Sequence, residues 1–484
     1  MRNRLVPILL VMLVLAAGGC GDESEPVPVD IPGQETVYYV APWGEDSNPG
    51  TWDYPWQTIQ HAADTLQAGD TVYIRGGTYA EQVIPQHSGS AGQEIVYTAY
   101  PGEVVTIDGA AVTVPQYEGL FFIGARNYIR VAGLRVVNSN EAGILADGCS
   151  YLTLENNSTY NTASSGIGVW GCNSVVVASN RVEEACTGGM QECLTIAGTD
   201  TFAVYDNEVW NCHKEGLDAK DGASNGQVYR NHVHHTQAVG IYVDAWDKYT
   251  HDIAVFQNVV HDVQDNDGFS IGSEQGGVLE NVWVYNNIAY NNRYLGLTLH
   301  NCCPGAPGHP VHNVTIVNNT FANNGLDPWG GGIAVDNPNL QNVTIRNNIV
   351  SQNLSFQIVV SPGVPTETLT IDHNLIDGFR GIEPGEIYGD AYVEGDPRFV
   401  DPAGSNFHLR SDSPAIDQGS SLDAPDDDID GNARPAGLGY DIGADEYVAP
   451  THWAYLPVQF TGFSSQLAVL RPKVDGQSLS STRE

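Results

Sequence analysis

Gly216-Leu-Asp-Ala-Lys220 and, one repeat later, Gly240-Ile-Tyr-Val-Asp244 share one pattern: glycine, apolar, any, apolar, any. The pattern recurs as GILAD (143–147), GIGVW (166–170), CLTIA (193–197), GFSIG (268–272), GLTLH (296–300) and GIAVD (332–336). A period of two marks strands, with the second and fourth residues turned inward and the third and fifth outward. Between these strands lie short β-branched runs such as LTLEN (152–156), VVVAS (175–179), VTIVN (314–318) and VTIRN (343–347). The asparagines closing them stand at 157, 180, 207, 231, 258, 287, 319, 348 and 374, which is 23 to 32 residues apart. A repeat of this length without helical periodicity predicts a β-solenoid. No coil buries its apolar face alone, so about nine must stack into a continuous core. The asparagines are expected to form a ladder at one corner, tolerating an αL-like bend there.

These repeats resemble the right-handed parallel β-helix of the pectate-lyase-like proteins, from roughly Val37 to Ile376. The handedness is implied by that resemblance. The expected fold class is all-β: a single-stranded solenoid of about nine or more coils, an N-terminal cap with a short helix, and a small C-terminal module. Residues 38–79 read as strand, loop, helix and strand, with Trp56, Ile59, Ala63 and Leu66 as the helical stripe and Gly69 as its stop. This start is similar to that of family 9 polysaccharide lyases. Residues 396–447 resemble a module that follows β-helices in secreted bacterial proteins. Its DDDIDG (426–431) matches the first half of a calcium loop, but position twelve is Gly437 where a bidentate glutamate is needed. An EF-hand is rejected there, which leaves a structural calcium or a solvated acidic turn.

The N-terminus has two arginines, a short apolar run and AAGGC ending at Cys20. That pattern predicts a signal peptide over 1–19 with lipidation of Cys20, placing the protein outside the cytoplasm and holding it by a lipid anchor. The remaining divisions are a tether (20–35), cap and first strands (36–110), repeats (111–385), acidic module (386–449) and tail (450–484). A formal charge of −38, from 20 Lys+Arg against 58 Asp+Glu, argues against nucleic acid and anionic membrane as partners. An acidic substrate would then require a cation between it and the protein. The chain is expected to be a monomer. Cys149 and Cys172 occupy equivalent positions in consecutive coils, at a spacing that suits a disulfide, against the alternative of two stacked free thiols.

The outward positions of GLDAK and GIYVD gather Asp218, Lys220, Tyr242 and Asp244, with Asp221 just beyond the strand end and Glu215 just before it. At the inter-strand spacing of about 4.8 Å, Lys220 is expected beside Asp244 and Asp218 beside Tyr242. By the resemblance, family 9 lyases carry a Ca²⁺ site of several aspartates with a lysine base on this fold. It implies Asp218, Asp221 and Asp244 as ligands, with Glu215, Glu192 and Asp247 as further candidates. The base would be Lys220 or Lys248, and the reaction β-elimination on an acidic polysaccharide such as a polyuronate. Tyr242, Trp246 and His300 are candidates for contact with sugar rings. Lysine among carboxylates should have a raised pKa, which opposes a role as base unless a cation offsets the field. Four other readings stay open: a solvated cross-strand charge ladder, a glycoside hydrolase pairing Asp244 with Asp218 or Asp336, a C5-epimerase of alginate-type polymers, whose signature YVDAWD (242–247) faintly resembles, and a glycan-binding surface lipoprotein without catalysis.

Overall fold

The computed structural model describes residues 36–301, 308–326 and 328–449. Cys20, Cys302 and Cys303 therefore lie outside the described residues. The chain winds through two thirteen-stranded sheets and one ten-stranded sheet, all with parallel pairing between successive coils. A typical coil runs from Asp200–Tyr205 in the first sheet, to Glu208–Trp210 in the second, to Leu217–Lys220 in the third. The cap strands Val37–Val40, Thr71–Ile74 and Ile95–Ala99 continue the first sheet, so the solenoid begins inside the cap. The cap helix Ile59–Thr65 buries Ile59, Ala62 and Ala63, and the Thr58 hydroxyl accepts from the His61 amide as its N-cap. Among the described residues no helix is long and apolar enough to cross a membrane.

The inward assignment of the repeat is correct. Leu217 and Ala219, Ile241 and Val243, Phe269 and Ile271, and Leu297 and Leu299 all sit in the principal core. The asparagine ladder runs unbroken from Asn157 to Asn374. In each rung the Nδ2 donates to the next Oδ1, for example Asn207 to Asn231 at 2.9 Å and Asn231 to Asn258 at 3.0 Å. A second amide proton reaches a main-chain carbonyl, as in Asn231 to Val204 at 2.9 Å. The left-handed bend, however, falls on the residue before each ladder asparagine: Asp206, Arg230, Gln257 and Asn286 have φ of 55°, 51°, 55° and 53°. Freed from the ladder, those preceding side chains are available elsewhere. Gln257 donates to the Asp428 carbonyl at 2.6 Å, Asn286 to Asp427 at 2.7 Å and Asn318 to Asp441 at 2.9 Å. The doubled NN of the later coils thus serves two purposes, one stacking and one docking the C-terminal module.

In that module, Arg434 forms a fully buried ion pair with Glu446 at 2.9 Å. The Asp428 carboxylate accepts from the amides of Asp430, Asn432 and Glu446. Asp428 therefore closes the DDDIDG turn with backbone amides, while the Asp430 carboxylate meets His408 Nε2 at 2.6 Å.

The disulfide expected between Cys149 and Cys172 does not form. Both are free, buried thiols, stacked so that the Cys149 amide donates to Cys172 Sγ at 3.2 Å. Cys149 Sγ instead donates to the Ile123 carbonyl at 2.9 Å.

Candidate functional site

The third-position residues of the ten-stranded sheet are in register: Thr195 on Asp218, Asp218 on Tyr242, Tyr242 on Ser270, and Ser270 on Thr298. The open, solvated face expected for this row is not what forms. Asp218 is 2% exposed, Asp244 3% and Tyr242 6%, because loop residues fold over the sheet. Glu192, just before its strand, covers one flank and accepts from Thr195 Oγ1 through its carbonyl at 2.9 Å. On the other flank Glu274 accepts from the Tyr242 hydroxyl at 2.6 Å, and His300 Nε2 lies 2.7 Å from the same oxygen. With its one proton given to Glu274, the phenol accepts from a His300 Nε2–H. Gly272 makes this reach available: a Cβ there would stand 2.0 Å from His300 Nε2. Tyr242 is therefore a buried hydrogen-bonding group and no sugar platform, which corrects the sequence expectation.

Lys220 also differs from its expected place. Its strand pairs it with Ala197 of the preceding coil, and pairing with the following coil ends at Ala219 on Val243. Its Nζ lies 2.5 Å from Glu192 Oε1. Burial alone would lower the Lys220 pKa, but the carboxylates of Asp218 and Glu192 outweigh it and raise the value. The charge ladder with Asp244 is replaced by a shielded pair with Glu192.

Three carboxylate oxygens in this region are buried without a hydrogen-bond partner: Glu215 Oε2, Asp218 Oδ1 and Asp221 Oδ1. Among the described residues only Thr159 Oγ1 shares that condition. An unsatisfied buried acceptor costs about 1–3 kcal/mol and more if charged. Burial accordingly pushes Glu215 up, Asp218 well up and Asp244 to about 8. Asp244 is otherwise tethered, its Oδ1 accepting from the Trp246 amide at 2.6 Å. Asp221 leaves the sheet at φ 55°, ahead of Gly222 at φ 89°.

An all-carboxylate donor set with orphaned oxygens fits a hard, oxygen-seeking cation such as Ca²⁺. The acids are grouped rather than closed on one point: no three of the sheet carboxylates have ligand atoms within 4.8 Å of one another. Side-chain rotation is needed to share an ion. Asp247 and Lys248 are exposed on the turn after Asp244, as is Trp246 at 44%, so Asp247 is not part of the buried group. Lys248 instead joins Lys220, Asp221, Trp170, Tyr117 and Gln191 around a groove of about 570 Å³. Tyr117 and Gln191 were not legible as site residues, because neither lies on a repeat strand.

Comparison with known proteins agrees with this architecture. An uncharacterized protein of Bacillus subtilis, YwoF, is 29% identical over 442 residues, covering 79% of this chain and 92% of its own. Pectate lyase L of Paenibacillus polymyxa is 26% identical over 324 residues, which is 59% of this chain and 63% of the relative. The solved structure of pectate lyase Pel9A superposes with a TM-score of 0.55 at 17% identity, over 85% of this chain and 96% of that one. A GH136 lacto-N-biosidase from Eubacterium ramulus shares the fold at a TM-score of 0.53 and 14% identity, over 71% of this chain and 68% of its own. Residues 38–348 match the family described as Pel9A-like, right-handed beta helix region. With its parallel coils and this match over most of its length, the chain belongs to the Pel9A-like right-handed β-helix family.

Proposed function

We propose that the protein is a calcium-dependent polysaccharide lyase that cleaves an acidic, pectate-like polysaccharide by β-elimination, held outside the cytoplasm by a lipid on Cys20. The observation that carries the reading is the pair of orphaned carboxylate oxygens on Asp218 and Asp221, with the buried Glu215 oxygen met by Lys214 at 3.7 Å, beside Lys220 in the groove. Pectate lyases among the relatives favour the same substrate class.

Asp218, Asp221 and Asp244, with Glu215, would hold the ion. A bound Ca²⁺ supplies charge neutralisation, both for a uronate carboxylate and for the acids that raise the Lys220 pKa. Lys220 would take the C5 proton of the sugar as the neutral amine, after the cation has offset the acids around it and its own proton has left to solvent. The C4–O bond breaks as the C4–C5 double bond forms, and Glu192 orients the amine until the proton is taken. Lys248, exposed at the groove beside Gly222, binds the anionic chain. Trp170 and Tyr117 offer ring faces to the sugar.

A hydrolase is the second reading, favoured by Asp244. At about 8, its carboxyl stays protonated at neutral pH and resembles a general acid. One assay separates the two. Elimination creates an unsaturated sugar that absorbs in the ultraviolet, whereas hydrolysis produces reducing ends alone. Polygalacturonate, with and without a chelator, is expected to give calcium-dependent absorbance that disappears in Lys220→Ala. Loss in Lys248→Ala alone would move the base to the turn, and reducing ends without absorbance would establish the hydrolase. Retention of the Cys20→Ser variant in the membrane fraction would sink the lipid anchor.

A further inference from the structure

The narrow second sheet carries a histidine cluster that the acids of the ten-stranded sheet do not use. In the strands Glu208–Trp210, His232–His234 and Val259–His261, the middle residues Val209, Val233 and Val260 are buried in the core. Alternation therefore turns Glu208, His232, His234 and His261 outward. Register sets Glu208 beside His232, and His234 between Trp210 and His261.

Glu208, His232 and His234 each present a ligand atom within 4.8 Å of the other two. His234 Nε2 stands 3.8 Å from Glu208 Oε1, while its Nδ1 is engaged by His235 Nδ1 at 2.7 Å. His261 brings its Nε2 to 2.8 Å from His232 Nε2. Its other nitrogen, Nδ1, is held by the Asp262 carboxylate at 2.7 Å. Such an outer carboxylate fixes the tautomer of a metal-binding imidazole and raises its basicity. Two ring nitrogens 2.8 Å apart share either one proton or one electrophile.

We propose that Glu208, His232 and His234, with His261 as fourth donor, form a transition-metal site, for which Zn²⁺ is the best-suited ion. Imidazole nitrogens with one carboxylate match zinc, whereas Ca²⁺ calls for six to eight oxygens. The site spans three coils. The ring stack Trp210, His234, His261 and Tyr290 crosses it at centroid spacings of 6.2, 5.1 and 4.7 Å. Tyr290 in turn packs on Phe407 of the C-terminal module at 4.8 Å, so the metal would brace the wall on which that module docks.

The test is calorimetric titration of the chelator-stripped full chain with ZnCl₂ in excess CaCl₂, so that oxygen-donor sites are already filled. About one equivalent of zinc is expected for a four-donor site. Binding should vanish in the double variant His232→Ala/His234→Ala and weaken about 10–100-fold in Asp262→Ala. It should persist in His408→Ala, which removes the histidine of the separate His408–Asp430–Asp445 group. If the double variant fails to fold by circular dichroism, His261→Gln serves in its place, with Co²⁺ absorption reporting loss of tetrahedral coordination. No zinc uptake by the wild-type chain, or uptake unchanged in these variants, would mean that the rings only stack and share protons, and would overturn the proposal.

Discussion

Asp244→Asn in chelated protein should stabilise the fold, and more so as the pH rises. In the folded chain the Asp244 carboxyl is raised from the ordinary 3.8 to about 8, first by burial and next by the charge of Glu274. The folded state therefore binds more protons than the unfolded state between those values. Stability is lost as pH rises through that window and is least above about 8. Each pH unit of that window is worth about 1.4 kcal/mol, so the full cost is on the order of 5 kcal/mol, shared with the adjoining Asp218 because the two titrate as a pair. The replacement amide keeps an Oδ1 to accept from the Trp246 amide, at 2.6 Å in the native turn, but carries no charge to bury. Urea unfolding followed by tryptophan fluorescence in chelator should show the gap between variant and wild type widening by about 4 kcal/mol from pH 5 to pH 8. Added CaCl₂ should stabilise the wild type at pH 8 and reverse the order, since the variant lacks a charged ligand. A gap that is constant or narrows with pH in chelator would refute the reasoning about burial. A wild type indifferent to calcium would refute the metal assignment alone.

Asn231→Ala removes the acceptor of the Asn207 amide and side chain and the donor to Val204, leaving buried groups unpaired; it should cost about 2–4 kcal/mol in thermal or urea unfolding, and a loss under about 1 kcal/mol would contradict a stabilising ladder. Cys149 and Cys172 should both react with iodoacetamide in denaturant without reductant, and a mass two hydrogens short of the fully reduced chain would instead place a bridge between them. His300, held down to about 4 chiefly by burial, stays neutral above about pH 5, so the pH–rate profile should have no limb near the usual imidazole value; a limb near 6.5 that disappears in His300→Gln would show the ring titrating normally. Tyr242→Phe deletes the hydroxyl that joins Glu274 to His300 but leaves the ring buried, so the profile should still lack a limb near 6.5, and a limb appearing in the variant would mean that the hydroxyl and not burial keeps the ring neutral.

The solenoid was legible because its signals are local. Period-two apolarity in GLDAK and GIYVD names the inward residues, and the recurring asparagine marks the corner, whatever the rest of the chain does. The row Thr195, Asp218, Tyr242, Ser270 and Thr298 followed from the same register and was found intact. Its environment did not follow. Nothing within a pentapeptide says whether a loop will fold over its outward residue, so the acids read as solvated are buried. Lys220 pairs with Glu192, twenty-eight positions away, rather than with the next coil. The first asparagines of the later NN pairs, Asn286 and Asn318, are hooks for the C-terminal module, a contact spanning more than a hundred residues that no local pattern announces.

By itself, then, the sequence determined the repeat, its inward face and the identity of the residues at each level, since backbone alternation and corner chemistry act over a few residues. Only the tertiary structure decided which of those levels lose their water, which carboxylates are left without partners, and which imidazoles meet across coils. Those outcomes depend on loops of different lengths closing over a common frame, and desolvation is a property of everything that surrounds a group.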